Sequence, residues 1–392
     1  MDYLVLFPTV FVEQGNTKVL LYNVDSKKTL LISNELVVRD LKARKDNYLN
    51  VFHLSSDIFR VSEAKNVIQT IENECFGWIG SGAVPPIQPA PFLQINASKH
   101  SPTIVHQKEY DYFSLYELSI CIKGELSSTF GTVLTSCSQK ELNFNDFEYF
   151  FKNAYLMTNL KCINIYGDDF KRYVGLADFI RIIVNQSLKC NLIIHCRATD
   201  IPILCEKNID IVNYCKFHAT IDGNSSVDFI SELFQTYPIS TFVFPIRTRE
   251  DVASYCRLLQ VINIPIRPCP IVMKRNKSFI KEQLIIDDIL HTKKTYKEIL
   301  LNTRINLNYY GGMFISSSGD IYASLHEDSF GNIKNQNIEE ATYDLQKNSK
   351  SWYLIRDNVS PCQDCVFRHL CPPISSYEFV FKTYNLCNIK NF

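Results

Sequence analysis

Four cysteines, Cys362, Cys365, Cys371 and Cys387, are the residues of this 392-residue chain whose type and spacing most plainly allow chemistry. They fall in the segment CQDCVFRHLCPPISSYEFVFKTYNLC. A C-x-x-C places two thiolates on one tight turn. Cys371 returns after a short loop, and Cys387 closes the group from further along. Four soft thiolates in one short segment suit a tetrahedral Zn²⁺ or an iron–sulfur cluster. Pro372 and Pro373 follow Cys371, and iron–sulfur loops often carry Pro after a ligand cysteine. A zinc ribbon would show a second C-x-x-C, which is missing here. The bland alternative is chance clustering of reduced surface thiols. On the chemistry alone, zinc and iron–sulfur both stay open.

Other reactive residue types read as structural. His195 and His218 stand in apolar strands and are expected to be satisfied core histidines rather than ligands. Gly167-Asp168-Asp169 reads as a strand-to-helix turn with a capping Asp. Cysteines in LKCINIYG and KCNLIIHC read as buried core thiols. No H-E-x-x-H, P-loop or G-x-S-x-G motif is present.

The elements that must position these groups fall into four stretches. Residues 1–80 read as a small α+β unit. Its strands are Tyr3–Phe7, Val10–Glu13, Lys18–Asn23 and Thr29–Ile32, with LNVFHLS after a first helix, Asn34–Arg44. A second helix covers Ser62–Glu74, and Asn34 is placed to cap the first. Residues 81–113 form a Pro-rich linker. Residues 114–294 alternate strand and helix. The strands are Leu115–Ile122, Cys162–Tyr166, Asn191–Cys196, Lys216–Ile221, Thr241–Pro245 and Ile262–Ile266. The helices are Asn143–Thr158, Tyr173–Asn185, Ser226–Gln235 and Arg249–Leu258. That alternation implies an α/β fold with parallel pairing and right-handed crossovers. About six units fit a partial (β/α) barrel. A doubly wound sheet competes, but no Gly-rich phosphate loop follows any strand. Residues 295–392 open with a helix, Tyr296–Asn302. A hairpin turned at Ser318-Gly319-Asp320 follows, and the cysteines close the stretch.

The bulk numbers narrow the function classes. Basic and acidic residues balance at 41 each, without the basic excess of a nucleic-acid binder. No apolar run reaches the ~18 residues of a membrane span. MDYLVLFPTVFVEQ lacks a basic n-region and a small-residue cleavage site, so it reads as strands and not a signal peptide. The expected compartment is the cytoplasm, where thiols stay reduced, so the 14 cysteines are not a disulfide framework.

The cysteine tail resembles a SPASM domain, the auxiliary-cluster extension of radical SAM peptide maturases. The chain keeps C-x2-C-x5-C at Cys362, Cys365 and Cys371, and keeps the final Cys387. In that family these positions ligate the outer auxiliary 4Fe–4S cluster. The inner site looks erased. Gly319 matches the pattern glycine, and Ser324 stands where the next cysteine would be. The upstream cysteine falls near Asn308 or Tyr309, and another position is Ser375. Loss of one whole site together favours one 4Fe–4S cluster, with zinc as the alternative.

The strand–helix stretch resembles a radical SAM domain in element order, but the C-x3-C-x2-C motif is absent. After the first barrel strand, Glu125, Thr129 and Thr132 take its positions, and none holds iron as a thiolate does. No bound SAM is therefore expected. Cys121 and Cys137 flank that expected loop, and a site rebuilt from them with Cys162 or Cys196 is disfavoured. Gly167-Asp168-Asp169 matches the SAM-binding Gly-Gly-Glu stretch only weakly.

Residues 1–80 resemble a RiPP recognition element, the PqqD-like winged-helix module that binds precursor leader peptides, in element order and in KVLLYNVDSKKTLLIS. That resemblance implies strand addition at Thr29, Leu30, Leu31, Ile32 and Ser33, with the peptide also packing on the Ser62–Glu74 helix. The whole chain resembles the pseudo-radical-SAM proteins of Bacteroidales peptide-modification systems. The implied function is a non-catalytic accessory protein. It would bind a ribosomally synthesised precursor peptide beside a radical SAM maturase, with no nucleic acid and no membrane as partner. The alternative is an enzyme or electron-relay subunit that uses the remaining cluster.

Overall fold

The computed structural model describes residues 2–43, 50–82, 115–129, 132–167, 170, 175–186, 188–207, 209–221, 223, 225–246, 248–270, 286–384 and 387. It gives backbone alone at 125–129, 132–139, 209, 210, 212, 270 and 380. The expected linker, 81–113, lies almost wholly outside the described residues.

The N-terminal unit holds two three-stranded antiparallel sheets. One has the order β5-β1-β6, from β1 (Asp2–Leu6), β5 (Val51–Leu54) and β6 (Gly77–Ser81). The other has the order β2-β3-β4, from β2 (Val10–Gln14), β3 (Val19–Asn23) and β4 (Thr29–Ile32). The helices are α1 (Glu35–Lys42), α2 (Ser56–Arg60) and α3 (Ser62–Asn73). Asn34 caps α1 through its side chain, which accepts from Val37 N at 3.3 Å. The sequence pattern gives α1 and α3 but not α2, whose five residues are too few for a helical period, or β6, GWIGS, whose glycines read as a break.

Strand β3 is buried on both faces. One face joins the unit's own core, with Leu21, Val10, Ile32 and Ile68. The other carries Leu20 and Tyr22, which pack with Phe11 and Val24 against Val366, Phe367, Leu370 and Cys371. The N-terminal sheet therefore sits directly on the cysteine segment. Glu13, only 4% exposed, pairs with both Arg368 and His369 across this contact. Gly15 is needed there, because a Cβ would come 2.5 Å from Val366 Cγ1.

The central sheet has ten strands. Its elements begin with β7 (Glu117–Thr129), β8 (Thr132–Glu141), α4 (Phe144–Phe151) and β9 (Cys162–Gly167). Next come α5 (Leu176–Asn185), β10 (Asn191–Arg197), α6 (Ile201–Lys207), α7 (Ile209–Tyr214) and β11 (Cys215–Thr220). Then follow α8 (Val227–Thr236), β12 (Ile239–Ile246), α9 (Arg249–Val261) and β13 (Ile266–Pro270). The order β7-β9-β10-β11-β12-β13 is parallel throughout and advances in one direction. A doubly wound sheet would reverse its order part-way. Five strand spacings of ~4.8 Å would put β13 ~24 Å from β7 on a flat sheet. Yet Arg267 on β13 lies within electrostatic reach of Glu117 on β7. The sheet is therefore curled, with helices on its outer face, as a partial barrel is.

Several expected elements are corrected. The first barrel strand does not end in a loop at Ile122. It runs on as β7 and folds back as the antiparallel β8. The helix after Asn143 stops at Phe151 and gives way to a 3₁₀ turn, Ala154–Leu156. Ile262–Ile266 is not a strand; Ile262 ends α9, and β13 begins at Ile266.

The tail continues through α10 (Ile286–His291), α11 (Tyr296–Asn302), β14 (Gly312–Ile315), β15 (Asp320–Tyr322), β16 (Gly331–Asn332), α12 (Ile338–Asn348), α13 (Lys350–Tyr353) and α14 (Ser376–Phe381). The hairpin β14–β15 turns at Gly319, whose φ of 85° favours glycine. Strand β14 pairs in parallel with β7, so the tail extends the barrel sheet and does not form a separate layer.

Candidate metal centre

The four cysteines lie in turns held by backbone and side-chain hydrogen bonds. Cys362 starts a 3₁₀ turn, and Cys365 N donates to Cys362 O at 2.9 Å. Phe367 N donates to Cys365 Sγ at 3.4 Å, which favours charge on that sulfur. Cys371 N donates to Phe367 O at 2.8 Å. From α11, Asn302 Nδ2 donates to His369 O at 2.8 Å and fixes the return to Cys371.

Arg356 ties the last part together. It is buried against the fully buried Glu378, with Nη1 3.1 Å from Glu378 Oε1. Its Nε donates to Pro372 O at 2.8 Å, and Nη1 donates to Tyr384 O at 3.0 Å and to Cys362 Sγ at 3.5 Å. The thiol of Cys362 also donates to Tyr384 O at 3.3 Å. This side chain thus joins the Cys362 turn, the loop after Cys371 and the approach to Cys387. Nothing in the sequence marked Arg356. Glu378 did leave a signal, since Ser375-x-x-Glu378 is a capping box on α14.

All four thiols are free. Cys362 and Cys371 are buried, and Cys365 and Cys387 are half-buried. Burial pushes the Cys371 thiol up to about 12 and the Cys365 thiol up to about 11. Burial also raises Cys362, while the Arg356 cation pulls it back. Each of the four lies within electrostatic range of the other three. A cation among them would reverse these shifts. Among the described residues, no group of three or more His, Cys, Asp or Glu stands ready to hold a single ion. The donor set fits a metal group chemically: four free thiols, sulfur-directed N–H groups and one nearby cation. The crevice beside Cys371 has only about 10 Å³ open to a water-sized molecule, roughly the room for one water and far too little for an ordinary ligand.

Two basic residues between the cysteines are held by acids from distant segments, and Arg368 Nη1 also donates to Cys365 O at 3.2 Å. Arg368 and His369 both pair with Glu13 and with Asp357. Burial opposes charge on His369, but Glu13 and Asp357 outweigh it and raise it to about 9. Sequence reading missed this network because its acids lie far away in the chain.

The positions read as an erased inner site do converge. Tyr309 OH donates to Ser376 Oγ at 2.7 Å and also bonds the fully buried Ser324. Ser375 caps α14, and Asn308 Nδ2 donates to Ile374 O at 3.2 Å. The Tyr309 ring meets Phe379 edge-on at 5.1 Å, and His326 stacks on Phe379 at 5.9 Å. Hydroxyls and rings fill this space.

The barrel positions fare differently. Glu125 pairs with Ser136 and Thr129 with Thr132 in the β7–β8 ladder, so these residues lie on strands and not on a loop. Their side chains lie outside the described residues, as do Asp168, Asp169 and the Cys137 side chain. Cys196 faces the helix-side core. Cys162, on the opposite face, contacts Asn164 Oδ1 at 3.5 Å, so those two thiols do not meet. His195 and His218 are not in the apolar core. They line the inner barrel face, with ring centroids 4.6 Å apart. His195 is satisfied, its Nε2 lying 2.9 Å from Asn164 Oδ1.

Thr29, Leu30, Leu31 and Ile32 form β4, an edge strand that pairs only with β3 among the described residues. Asn23 N donates to Lys28 O, which makes that pair a hydrogen-bonded one. Antiparallel pairs alternate, so Leu20–Leu31 is a non-bonded pair and the Leu31 N–H points away from β3. Leu31 is 39% exposed, while Leu30 packs against the unit's core, as Val67 of α3 does.

No family model matches the chain, and no curated protein matches it. Solved structures give remote likenesses. Streptococcus suis SuiB bound to S-adenosylmethionine aligns at 13% identity over 100% of this chain and 99% of that one, with a TM-score of 0.40. SuiB bound to precursor peptide SuiA aligns at 14% identity over 98% and 100%, also at 0.40. Native anSMEcpe with bound AdoMet and the Cp18Cys peptide aligns at 13% over 68% and 96%, at 0.41. Likenesses at this level bear neither on activity nor on ligands.

Proposed function

We propose that the protein is a non-catalytic accessory protein of peptide maturation. It binds the leader of a ribosomally synthesised precursor through β4 and works beside a radical SAM maturase. One 4Fe–4S cluster on Cys362, Cys365, Cys371 and Cys387 holds its tail together. The observation that carries this reading is that an open strand edge and four converging free thiols belong to one packed body. Zinc would need all four sulfurs ~2.3 Å from one point. A 4Fe–4S cluster takes the same four thiolates, so metal analysis separates the two. Metal binding there would supply folding free energy.

Strand addition uses the outward N–H groups of β4 for affinity and alternate side chains for selectivity. A peptide paired to β4 would put one set of side chains toward α3, beside Leu30. The other set would point toward the face that Leu31 shares with Leu20 and Tyr22. The test is binding of the leader of a precursor encoded beside this gene. The full chain should bind it, and Leu31→Pro should bind much more weakly. The Leu31 N–H is not spent on β3, so the variant should melt like the wild type. Undiminished binding by Leu31→Pro, or equal binding by residues 81–392 alone, would move recognition elsewhere. The second reading, an electron-relay subunit, is favoured by the partial exposure of Cys365 and Cys387. A reversible reduction that stays coupled to a partner's turnover would support it.

A further inference from the structure

The inner face of the barrel is polar, and it is a different surface from the leader-binding edge. Strand alternation sends Ile163, Ile194 and Phe217 to the helix-side core. The opposite positions carry His195 and Arg197 on β10, Lys216 and His218 on β11, and Arg267 on β13. Arg197, Lys216 and Arg267 are exposed. Among the described residues, none of the three enters an ion pair. Among the described residues, Glu117 lies within electrostatic reach of Arg267, and it is engaged: Asn164 Nδ2 donates to its Oε1 at 2.6 Å. Asn164 Oδ1 in turn faces His195 Nε2, which leaves the other ring nitrogen of His195 as an acceptor. Burial keeps His195 neutral, with His218 and Arg267 adding to the effect; burial and Arg267 act on His218 in the same way.

A chain with 41 basic and 41 acidic residues thus gathers three cations and two mutually opposed imidazoles on one concave wall. Basic groups that disfavour one another's charge are relieved by an incoming anion. Their spread decides what kind of anion. Arg197 and Arg267 stand level across β10 to β13, three strand spacings or ~14 Å apart on a flat sheet, while Lys216 is level with Ile193, four residues or ~13 Å back along the strands. One phosphate or carboxylate reaches donors only ~3 Å away. An extended peptide carries same-side carboxylates ~7 Å apart, so its residues i and i+4 span the ~14 Å between the cations. We infer that the inner barrel face binds an extended peptide segment bearing several carboxylates.

The test uses the full chain, purified anaerobically with its metal, and a fluorescein-labelled hexaglutamate peptide read by anisotropy. Hexaglutamate should bind and hexalysine should not, and added salt should weaken the binding. Combined Arg197→Ala, Lys216→Ala and Arg267→Ala should weaken it by about tenfold or more, each exposed contact contributing modestly. Combined Arg197→Lys and Arg267→Lys keep the charge and should retain most of the binding, which a purely structural role would not predict. Leu31→Pro should leave hexaglutamate binding unchanged, so failure here is separable from failure of the leader reading. Equal affinity in the wild type and the triple alanine variant would overturn the inference. So would competition by inorganic phosphate as effective per mole as hexaglutamate, which would make this a small-anion site.

Discussion

Replacing Arg356 with Met should loosen the cysteine centre from a distance. The guanidinium is 6% exposed and Glu378 is 0% exposed, and they meet at 3.1 Å and 3.4 Å. Removing one partner of a buried pair leaves an uncompensated charge and costs ~3–5 kcal/mol. Glu378 keeps hydrogen bonds from Ser375 N at 2.8 Å and Ser375 Oγ at 3.1 Å, which places the cost near ~3 kcal/mol. Pro372 O and Tyr384 O also lose their donor, at roughly 1 kcal/mol each. The expected total, ~5 kcal/mol, is a large part of a typical ~5–15 kcal/mol stability. Denaturant midpoints on anaerobic protein give this loss, and the rate of iron release to a chelator should rise with it. The double variant Arg356→Met with Glu378→Leu removes both charges. It should lose much less than the sum of the singles: the ~1 kcal/mol of the α14 cap and the roughly 1 kcal/mol of each carbonyl bond, but no stranded charge. An Arg356→Met protein within ~0.5 kcal/mol of wild type, or a double variant that loses the full sum, would refute the reasoning.

Anaerobic protein should carry about four irons and matching sulfide per chain, as one 4Fe–4S unit requires. About eight irons would sink the single-site reading, and zinc without iron would keep the ligands but sink the cluster. With SAM and dithionite the protein should form no 5′-deoxyadenosine above buffer, because Glu125, Thr129 and Thr132 supply no thiolate. Multiple turnovers by protein free of contaminating enzyme would overturn that. Gly15→Ala should destabilise by ~1–3 kcal/mol, since its Cβ meets Val366 Cγ1 at 2.5 Å and Asp364 O at 3.1 Å; a neutral result in denaturant titration would mean the contact is soft. A fragment of residues 1–82 should self-associate on a sizing column through bared Phe11, Leu20 and Tyr22, and a clean monomer would contradict the packing described.

The local signals were legible wherever one segment carried its own pattern. Asn34 before an amphipathic run marked the start of α1, and Gly319 marked a hairpin turn. Alternating strands and helices marked the parallel sheet, and C-x2-C-x5-C with the later Cys387 marked thiols that the fold brings near one another. Each of these depends on neighbours in the chain, so spacing alone could carry it. Misses came where local cues ran on past an element's true end. Nothing in ELSICIKGELSST says that β7 continues past Ile122, because β8 across from it holds it extended. His195 and His218 read as core residues because strand periodicity marks two faces without saying which one the helices cover.

What the sequence determined by itself was the inventory: four cysteines within one short segment, an edge-like strand at Thr29–Ile32, and six strand–helix units. Only the tertiary structure decided what meets what. It placed Glu13 against Arg368 and His369, Tyr309 against Ser324 and Ser376, and Arg356 against Glu378 and Tyr384. These pairings join residues whose separation along the chain leaves no periodic trace. The physical reason is that a buried charge or hydroxyl must find its partner in space, and the sequence records each member without recording the pair.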